Sequence, residues 1–246
     1  MGEVIAVLSG KGGTGKTSVC AGIATALAES GSLVLCIDCD VGLQNLDISL
    51  GLSDNGGLSF LDVCNGGYTL DDVTRHPKYP TLSFLTAPMN RAVEKIELAS
   101  FSQMLRTARK TYDYIFLDAP AGVDAGFKLV SAAADRFLVV TGPAPAAMRD
   151  AARVADLLEL MGKQNVRLIV NRVNKNMLDT LRLTIDDIMD TAGLPLAGVI
   201  LEDANVTLAA AFGRPLLQYA HRSTAAKAFR KIARRIQGFS EPITLR

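Results

Sequence analysis

Short runs of consecutive apolar residues recur along the chain, and stretches with helical spacing separate them. The apolar runs cover residues 4–8, 33–37, 82–85, 114–117, 137–140, 167–170 and 198–201. The stretches with helical spacing cover residues 17–29, 95–110, 146–161, 184–191 and 225–236. Continuous apolar strands that alternate with helices are typical of a parallel sheet buried on both faces. The pattern predicts an α/β fold whose mostly parallel sheet has helices on both faces.

Length and composition fit one globular domain. No repeat, low-complexity tract or long linker divides the 246 residues, so we expect one domain over residues 1–246, with a short tail at 239–246. Hydrophobic residues make up 49% of the chain, which excludes a disordered protein. The net charge is +1, so the overall charge does not indicate an acidic partner. The first apolar run lacks the basic segment that opens a signal peptide, and no apolar stretch is long enough for a spanning helix. The four cysteines are sparse, so we expect a cytoplasmic protein.

A glycine-rich segment follows the first predicted strand and opens the first predicted helix. Residues 10–17, GKGGTGKT, fit the phosphate-binding pattern G-x-x-x-x-G-K-[ST] in the context that this pattern requires. Its glycines let backbone N–H groups face phosphate oxygens, Lys16 would reach the β- and γ-phosphates, and the Thr17 hydroxyl would bind Mg²⁺. The predicted nucleotide contacts here are Gly10, Lys11, Gly12, Gly13, Thr14, Gly15, Lys16, Thr17 and Ser18.

Two later apolar runs end on aspartates. Asp38 and Asp40 follow the second run, and Asp118 follows the run at 114–117. The carboxyl ends of parallel strands meet at the edge of the sheet where ligands bind. Asp118 is therefore a candidate to hold Mg²⁺. Of Asp38 and Asp40, one carboxylate could lie near the metal while the other orients the attacking water; a turn or helix cap is the alternative for this pair.

Together these segments resemble the MinD/ParA ATPases, whose phosphate loop is called a deviant Walker A motif. Residues 11–17 match that motif, residues 38–47 are similar to the family's first switch segment, and residues 118–122 are similar to its second, D-x-P-A-G. The likeness continues through residues 198–203 and 212–215, and the MinD branch fits best.

The resemblance implies further roles for individual residues. Lys11 would contact the nucleotide of a second subunit across an ATP-induced dimer. Asp40 would position the hydrolytic water, and Asp38 would lie close to the metal. The residues that the resemblance places near the base are Asn171, Arg172 and Asp203.

The resemblance also implies a function. We expect an ATP-dependent dimerising switch that hydrolyses ATP slowly with Mg²⁺ and takes an activator or effector protein as partner. It would act in positioning the division site or another structure within the cell. One alternative is a ParA-like partitioning ATPase that binds DNA non-specifically through the basic face of residues 227–235, with steep salt dependence. Another is a MinD-like regulator of flagellar placement.

The last predicted helix combines an apolar stripe with many basic residues. We expect the stripe, which consists of Phe229, Ile232, Ala233 and Ile236, to pack on the sheet; contact with an anionic membrane is the alternative. MinD proteins carry a membrane-targeting helix after this point. Because residues 238–246 are few and include Pro242, we expect that helix to be missing or reduced, which leaves peripheral membrane contact as an alternative.

The cysteines and histidines predict no further site. Cys36 and Cys39 form a C-x-x-C, but residues three apart on a strand point to opposite faces. We therefore expect them to fill apolar core and do not expect a metal-cluster carrier. His76 and His221 are distant in sequence and are expected on the surface.

Overall fold

The computed structural model describes residues 1–41, 44–53, 57–88 and 96–243. Its strands are β1 (Glu3–Leu8), β2 (Val34–Asp38), β3 (Thr74–Arg75), β4 (Leu82–Leu85), β5 (Tyr114–Asp118), β6 (Arg136–Thr141), β7 (Val166–Val173) and β8 (Leu196–Leu201). Within the described ranges they form one sheet in the order β3-β4-β2-β5-β1-β6-β7-β8. Every pair is parallel except β3–β4 at one edge, so the predicted fold class is confirmed.

Helices connect the strands and cover both faces of the sheet. They are α1 (Lys16–Glu29), α2 (Leu46–Leu50), α3 (Phe60–Cys64), α4 (Leu98–Ala108), α5 (Ala125–Ala133), α6 (Pro145–Leu160), α7 (Lys175–Leu181), α8 (Ile185–Ala192), α9 (Ala204–Ala211), α10 (Leu216–Tyr219) and α11 (Thr224–Ile236). Among the helices of the described ranges, none has the length and apolar character to cross a membrane. The second strand begins at Val34, one residue later than predicted, and the Leu33 side chain before it is 42% exposed.

Two apolar layers lie on opposite faces of the sheet. We call the first the α1 layer: it includes α1, α2 and α11 and takes Ile5 and Val7 from β1. The second, the α6 layer, includes α3, α4, α5, α6 and α8 and takes Ala6 and Leu8 from β1. Cys36 belongs to the α1 layer and Cys39 to the α6 layer, so the predicted divergence of the two thiols is confirmed.

Helix α11 packs closely on the α1 layer. Its apolar stripe is buried, as predicted, against α1 and β8. Small residues allow this approach, because a Cβ added at Gly22 would lie 2.3 Å from the Phe229 ring, and one added at Gly198 would lie 2.4 Å from the Cγ1 atom of Ile232. On the outside of the contact, Arg230 donates two hydrogen bonds to Glu29, of 2.6 and 3.0 Å.

The strand register brings the predicted site residues to one edge of the sheet. Asp38 and Asp118 are direct register partners across β2 and β5, and Asp118 pairs with Val7 across β5 and β1. The segment between β1 and α1 starts at the same edge. The phosphate loop and both strand-end carboxylates therefore lie side by side.

Candidate nucleotide-binding site

The loop of residues 9–15 joins β1 to α1 with a tight backbone. Gly15 precedes the helix with a φ of 84°, a left-handed conformation that favours glycine. A Cβ on Gly15 would lie 2.4 Å from Nδ2 of Asn171, and one on Gly10 would lie 2.4 Å from the carbonyl oxygen of Asp150. Glycine is thus required at both ends of the loop by backbone shape or close approach.

Lys16 and Asp118 form a buried ion pair directly behind this loop. Their exposed fractions are 6% and 1%, and Nζ of Lys16 lies 2.5 Å from Oδ1 of Asp118. The same Nζ is 3.4 Å from the Thr17 hydroxyl. Burial lowers the pKa of Lys16, but the adjacent Asp118 carboxylate outweighs it, so the pKa is raised above its ordinary value. Lys16 therefore keeps its positive charge inside the site.

Asp38 connects the end of β2 to the start of α2. Its two carboxylate oxygens accept hydrogen bonds from the backbone N–H groups of Asp40, at 2.9 Å, and Leu46, at 3.2 Å. Burial, followed by the charge of Asp118, raises the pKa of Asp38 to about 7. Asp38 thus forms the turn and helix cap that the sequence analysis gave as the alternative. Its position beside Asp118 is also compatible with a place near the metal.

Asp40 is only half-buried, at the mouth of the site. Burial raises its pKa above the ordinary value, the charge of Lys16 opposes this, and the charge of Asp118 adds to it. A carboxylate whose pKa is raised is a better proton acceptor. The predicted role of Asp40 towards water stays a prediction.

Asn171 and Arg172, at the end of β7, hold the phosphate loop from the side. Nδ2 of Asn171 donates to the carbonyl oxygen of Thr14 at 2.8 Å, and Nη1 of Arg172 donates to that of Gly13 at 3.0 Å. Arg172 has a φ of 55°, which is uncommon for a residue with a side chain. These contacts place both residues at the site, whereas contact with a base stays a prediction.

Asp203 joins the starts of α9 and α11. Oδ1 accepts hydrogen bonds from the backbone N–H and the side-chain amide of Asn205, and Oδ2 accepts from the Thr224 hydroxyl and the N–H of Ala225. Burial raises the pKa of Asp203, but these hydrogen bonds outweigh it and bring the pKa to about 2. The structure gives Asp203 a capping role that the sequence analysis missed; contact with the base stays a prediction.

Two buried polar atoms test whether a magnesium nucleotide fits the site. Within the described ranges, Oδ2 of Asp118 and the Thr14 hydroxyl have no hydrogen-bond partner. Such atoms are costly unless a ligand, ion or water satisfies them. Carboxylate and hydroxyl oxygens are the donors that Mg²⁺ prefers. The Thr17 hydroxyl lies 3.4 Å from Nζ of Lys16, which also contacts Asp118. The residues therefore fit Mg²⁺ with phosphates on the loop.

His76 is the buried polar residue that the sequence analysis placed wrongly. It is 3% exposed, and Nε2 of its ring lies 2.9 Å from the carbonyl oxygen of Leu50. The surface position expected for His76 is therefore wrong, whereas His221 is exposed as expected. Its partner lies 26 positions away in sequence, so no local pattern could signal the contact.

Sequence comparison relates this chain to nucleotide-binding proteins. A family model described as the CobQ/CobB/MinD/ParA nucleotide binding domain matches residues 5–216. The chain is 36% identical over 244 residues to the septum site-determining protein MinD of Synechocystis sp., which covers 98% of this chain and 92% of that protein. It is 37% identical over 247 residues to the septum site-determining protein MinD of Thermotoga maritima, with 99% and 91% covered.

Solved structures show the same relationship. The fold is similar to a chain of the MinC:MinD cell division protein complex of Aquifex aeolicus, with a TM-score of 0.90, 35% identity and 98% of each chain covered. It is also similar to the septum site-determining protein MinD complexed with Mg-ADP from Pyrococcus horikoshii, with a TM-score of 0.84, 28% identity and 96% of each chain covered.

Proposed function

The chain belongs to the CobQ/CobB/MinD/ParA family of nucleotide-binding domains, and from this premise we propose that ATP brings two copies of it together as a timed switch. It is a MinD-like ATPase of division-site positioning that uses ATP and Mg²⁺. The observation that carries the chain's response to ATP is the buried pair of Lys16 and Asp118 behind the phosphate loop.

This pair supplies the chain's first response to ATP. The phosphates of ATP carry more negative charge than one carboxylate, so Lys16 would turn from Asp118 to the β- and γ-phosphates. The exchange would leave Asp118 free of its ion pair at the point where Thr17 offers a hydroxyl. Thr17 and Asp118 would hold Mg²⁺, with Asp38 beside them. When bound, Mg²⁺ neutralises charge on the phosphates during transfer.

Hydrolysis itself would depend on Asp40. Its half-buried carboxylate would orient the attacking water and accept its proton, which its raised pKa assists. Lys11 is exposed on the outer turn of the loop, where it would reach the nucleotide of the second copy. Its charge would then be placed on the γ-phosphate only after two copies have met, so hydrolysis would follow association.

Light scattering with saturating ATP and Mg²⁺ tests the switch. The wild-type protein should double its mass, and Lys11→Ala and Lys16→Ala should stay monomeric and inactive. Asp40→Ala should form a dimer that stays trapped with ATP bound. Lys110→Ala is a matched control, because this exposed lysine lies before β5 at the opposite edge of the sheet. A wild-type protein that stays monomeric under these conditions contradicts the proposal.

The dimer would present a surface to a partner protein, which the MinC:MinD cell division protein complex of Aquifex aeolicus supports. We place this event in the cytoplasm, because free thiols are typical of reducing compartments. The basic face of α11 is partly engaged within the chain, since Arg230 contacts Glu29 and Arg235 donates to the carbonyl oxygen of Ala197. This favours the MinD-like over the DNA-binding alternative. Sedimentation with anionic vesicles and with DNA, each with and without ATP, tests both surfaces.

A further inference from the structure

We propose that His76 is a positioning residue for ATP hydrolysis, because it fixes the far end of the helix whose near end contacts Asp38. Helix α2 donates from the N–H of Leu46 to Asp38 at its start, and it accepts from His76 at the carbonyl oxygen of Leu50 at its end. His76 follows β3 directly, so it connects the antiparallel edge of the sheet to the site. The inference rests on the proposed role of Asp38.

The hydrogen bonds of the imidazole fix its tautomer. Nδ1 lies 3.1 Å from the backbone nitrogen atoms of both Lys78 and Tyr79, and both of these groups are donors. Nδ1 must therefore accept, so the proton of the neutral ring lies on Nε2. Nε2 then donates to the carbonyl oxygen of Leu50. One side of the ring thus holds the turn at residues 76–79, and the other side holds α2.

Helix α2 depends on contacts at its two ends. Its five residues are too few to be stable alone, and the Asn45 side chain that precedes it makes no capping hydrogen bond. The last carbonyl groups of a helix have no partner within it, and His76 satisfies that of Leu50. Leu46 and Leu50 are fully buried in the α1 layer. Without His76, the end of α2 would lose its anchor, and the N–H that orients Asp38 would shift with it.

Two substitutions separate the two sides of the ring. In His76→Gln, the longer side chain carries its amide nitrogen to the place of Nε2 and keeps the contact with Leu50. In His76→Asn, the amide oxygen replaces Nδ1 and keeps the turn, but the side chain no longer reaches Leu50. His221→Gln is the matched control, because the chain has two histidines and this one is exposed.

Steady-state ATP hydrolysis is the measurement. We expect kcat to fall about three- to tenfold in His76→Asn, with KM for ATP changed less than about twofold, because the phosphate loop is untouched. His76→Gln should recover most of kcat, and His221→Gln should match the wild type. A folded His76→Asn with wild-type kcat, or equal losses in the Asn and Gln variants, overturns the inference.

Two further measurements keep the inference independent of the variants' folding and of the proposed function. Ring ¹⁵N shifts of the wild-type protein, assigned with His221→Gln, should show the Nε2-protonated tautomer at His76; the Nδ1-protonated form overturns the inference. Asp38→Asn should lose hydrolysis. Full activity there overturns the role of Asp38, whereas loss there with full activity in His76→Asn overturns only the role of His76.

Discussion

The buried charges of Lys16 and Asp118 stabilise each other. Removing one should leave the other buried without a partner, so that its desolvation energy is no longer compensated. We expect Lys16→Ala to lower the free energy of unfolding by about 3 kcal/mol, because breaking a buried ion pair strands a charge. The double variant Lys16→Ala/Asp118→Asn should recover much of this loss, although neither variant hydrolyses ATP. Urea unfolding of the wild type, Lys16→Ala, Asp118→Asn and the double variant measures the cycle. Equal stability of Lys16→Ala and the double variant contradicts the expectation.

Asp203 should affect stability in a pH-dependent way. Its pKa of about 2 lies below the ordinary 3.8, so its ionised form favours the folded chain. That contribution is present above about pH 4 and disappears as the pH falls through about 2. Asp203→Asn should therefore have a lower melting temperature than the wild type near neutral pH. The difference between the two melting temperatures should become smaller in acid. The exposed Asp190→Asn serves as the control. A gap that stays constant down to about pH 2 contradicts the assignment.

Individual site residues could be predicted where their signal is local. The spacing of residues 10–17 indicates a phosphate loop, and Asp38 and Asp118 follow apolar runs whose ends must meet in a parallel sheet. The contacts of His76 with Leu50 and of Asp203 with Ala225 could not be predicted in this way, because these partners lie 26 and 22 positions away. Their roles depend on which loop the finished fold brings beside them.

At the scale of elements, the contact between α1 and α11 is set by one small residue. Gly22→Ala should lower the free energy of unfolding by about 1–3 kcal/mol, because the added methyl group overlaps the Phe229 ring and must push the helices apart. Gly67→Ala is the matched control, since its Cβ would find only ordinary contact at 3.5 Å. Thermal melting compares the two variants with the wild type. A Gly22→Ala variant with the wild-type melting temperature contradicts the prediction, because α11 would then move aside without a loss of stability.

The longest helices and strands such as β4 could be predicted from the sequence, whereas α5, α7, α9 and the shortest elements were missed. Helix α6 lies at Pro145–Leu160, one residue from its predicted range, because its apolar spacing extends over several turns. The single-turn helices α2 and α3 and the two-residue strand β3 have too few residues to show a period. They are held by caps and edge contacts, such as the Ser59–Asp62 capping box of α3.

At the scale of the whole molecule, the sheet divides the apolar interior into two layers, and each layer holds native thiols. Cys20 and Cys36 lie in the α1 layer, Cys39 lies in the α6 layer, and Cys64 packs at the margin of the α6 layer. We expect Cys64 to react first with a thiol reagent, because it alone among these four is only partly buried, although burial raises its pKa to about 11. Mass spectrometry of the partly labelled protein measures the order, and earlier labelling of Cys20 contradicts it.

Because the native thiols lie on both faces of the sheet, their labelling rates report how often each face opens. A fully buried thiol becomes accessible only when the helices on its side move away from the sheet. Labelling of Cys36 therefore reports opening of the α1 layer, and labelling of Cys39 reports opening of the α6 layer. Nucleotide that tightens the phosphate loop and α1 should slow labelling of Cys20 and Cys36, and the rate at Cys39 shows whether it tightens the α6 layer as well. The native cysteines therefore suffice to reveal which half of the interior ATP protects.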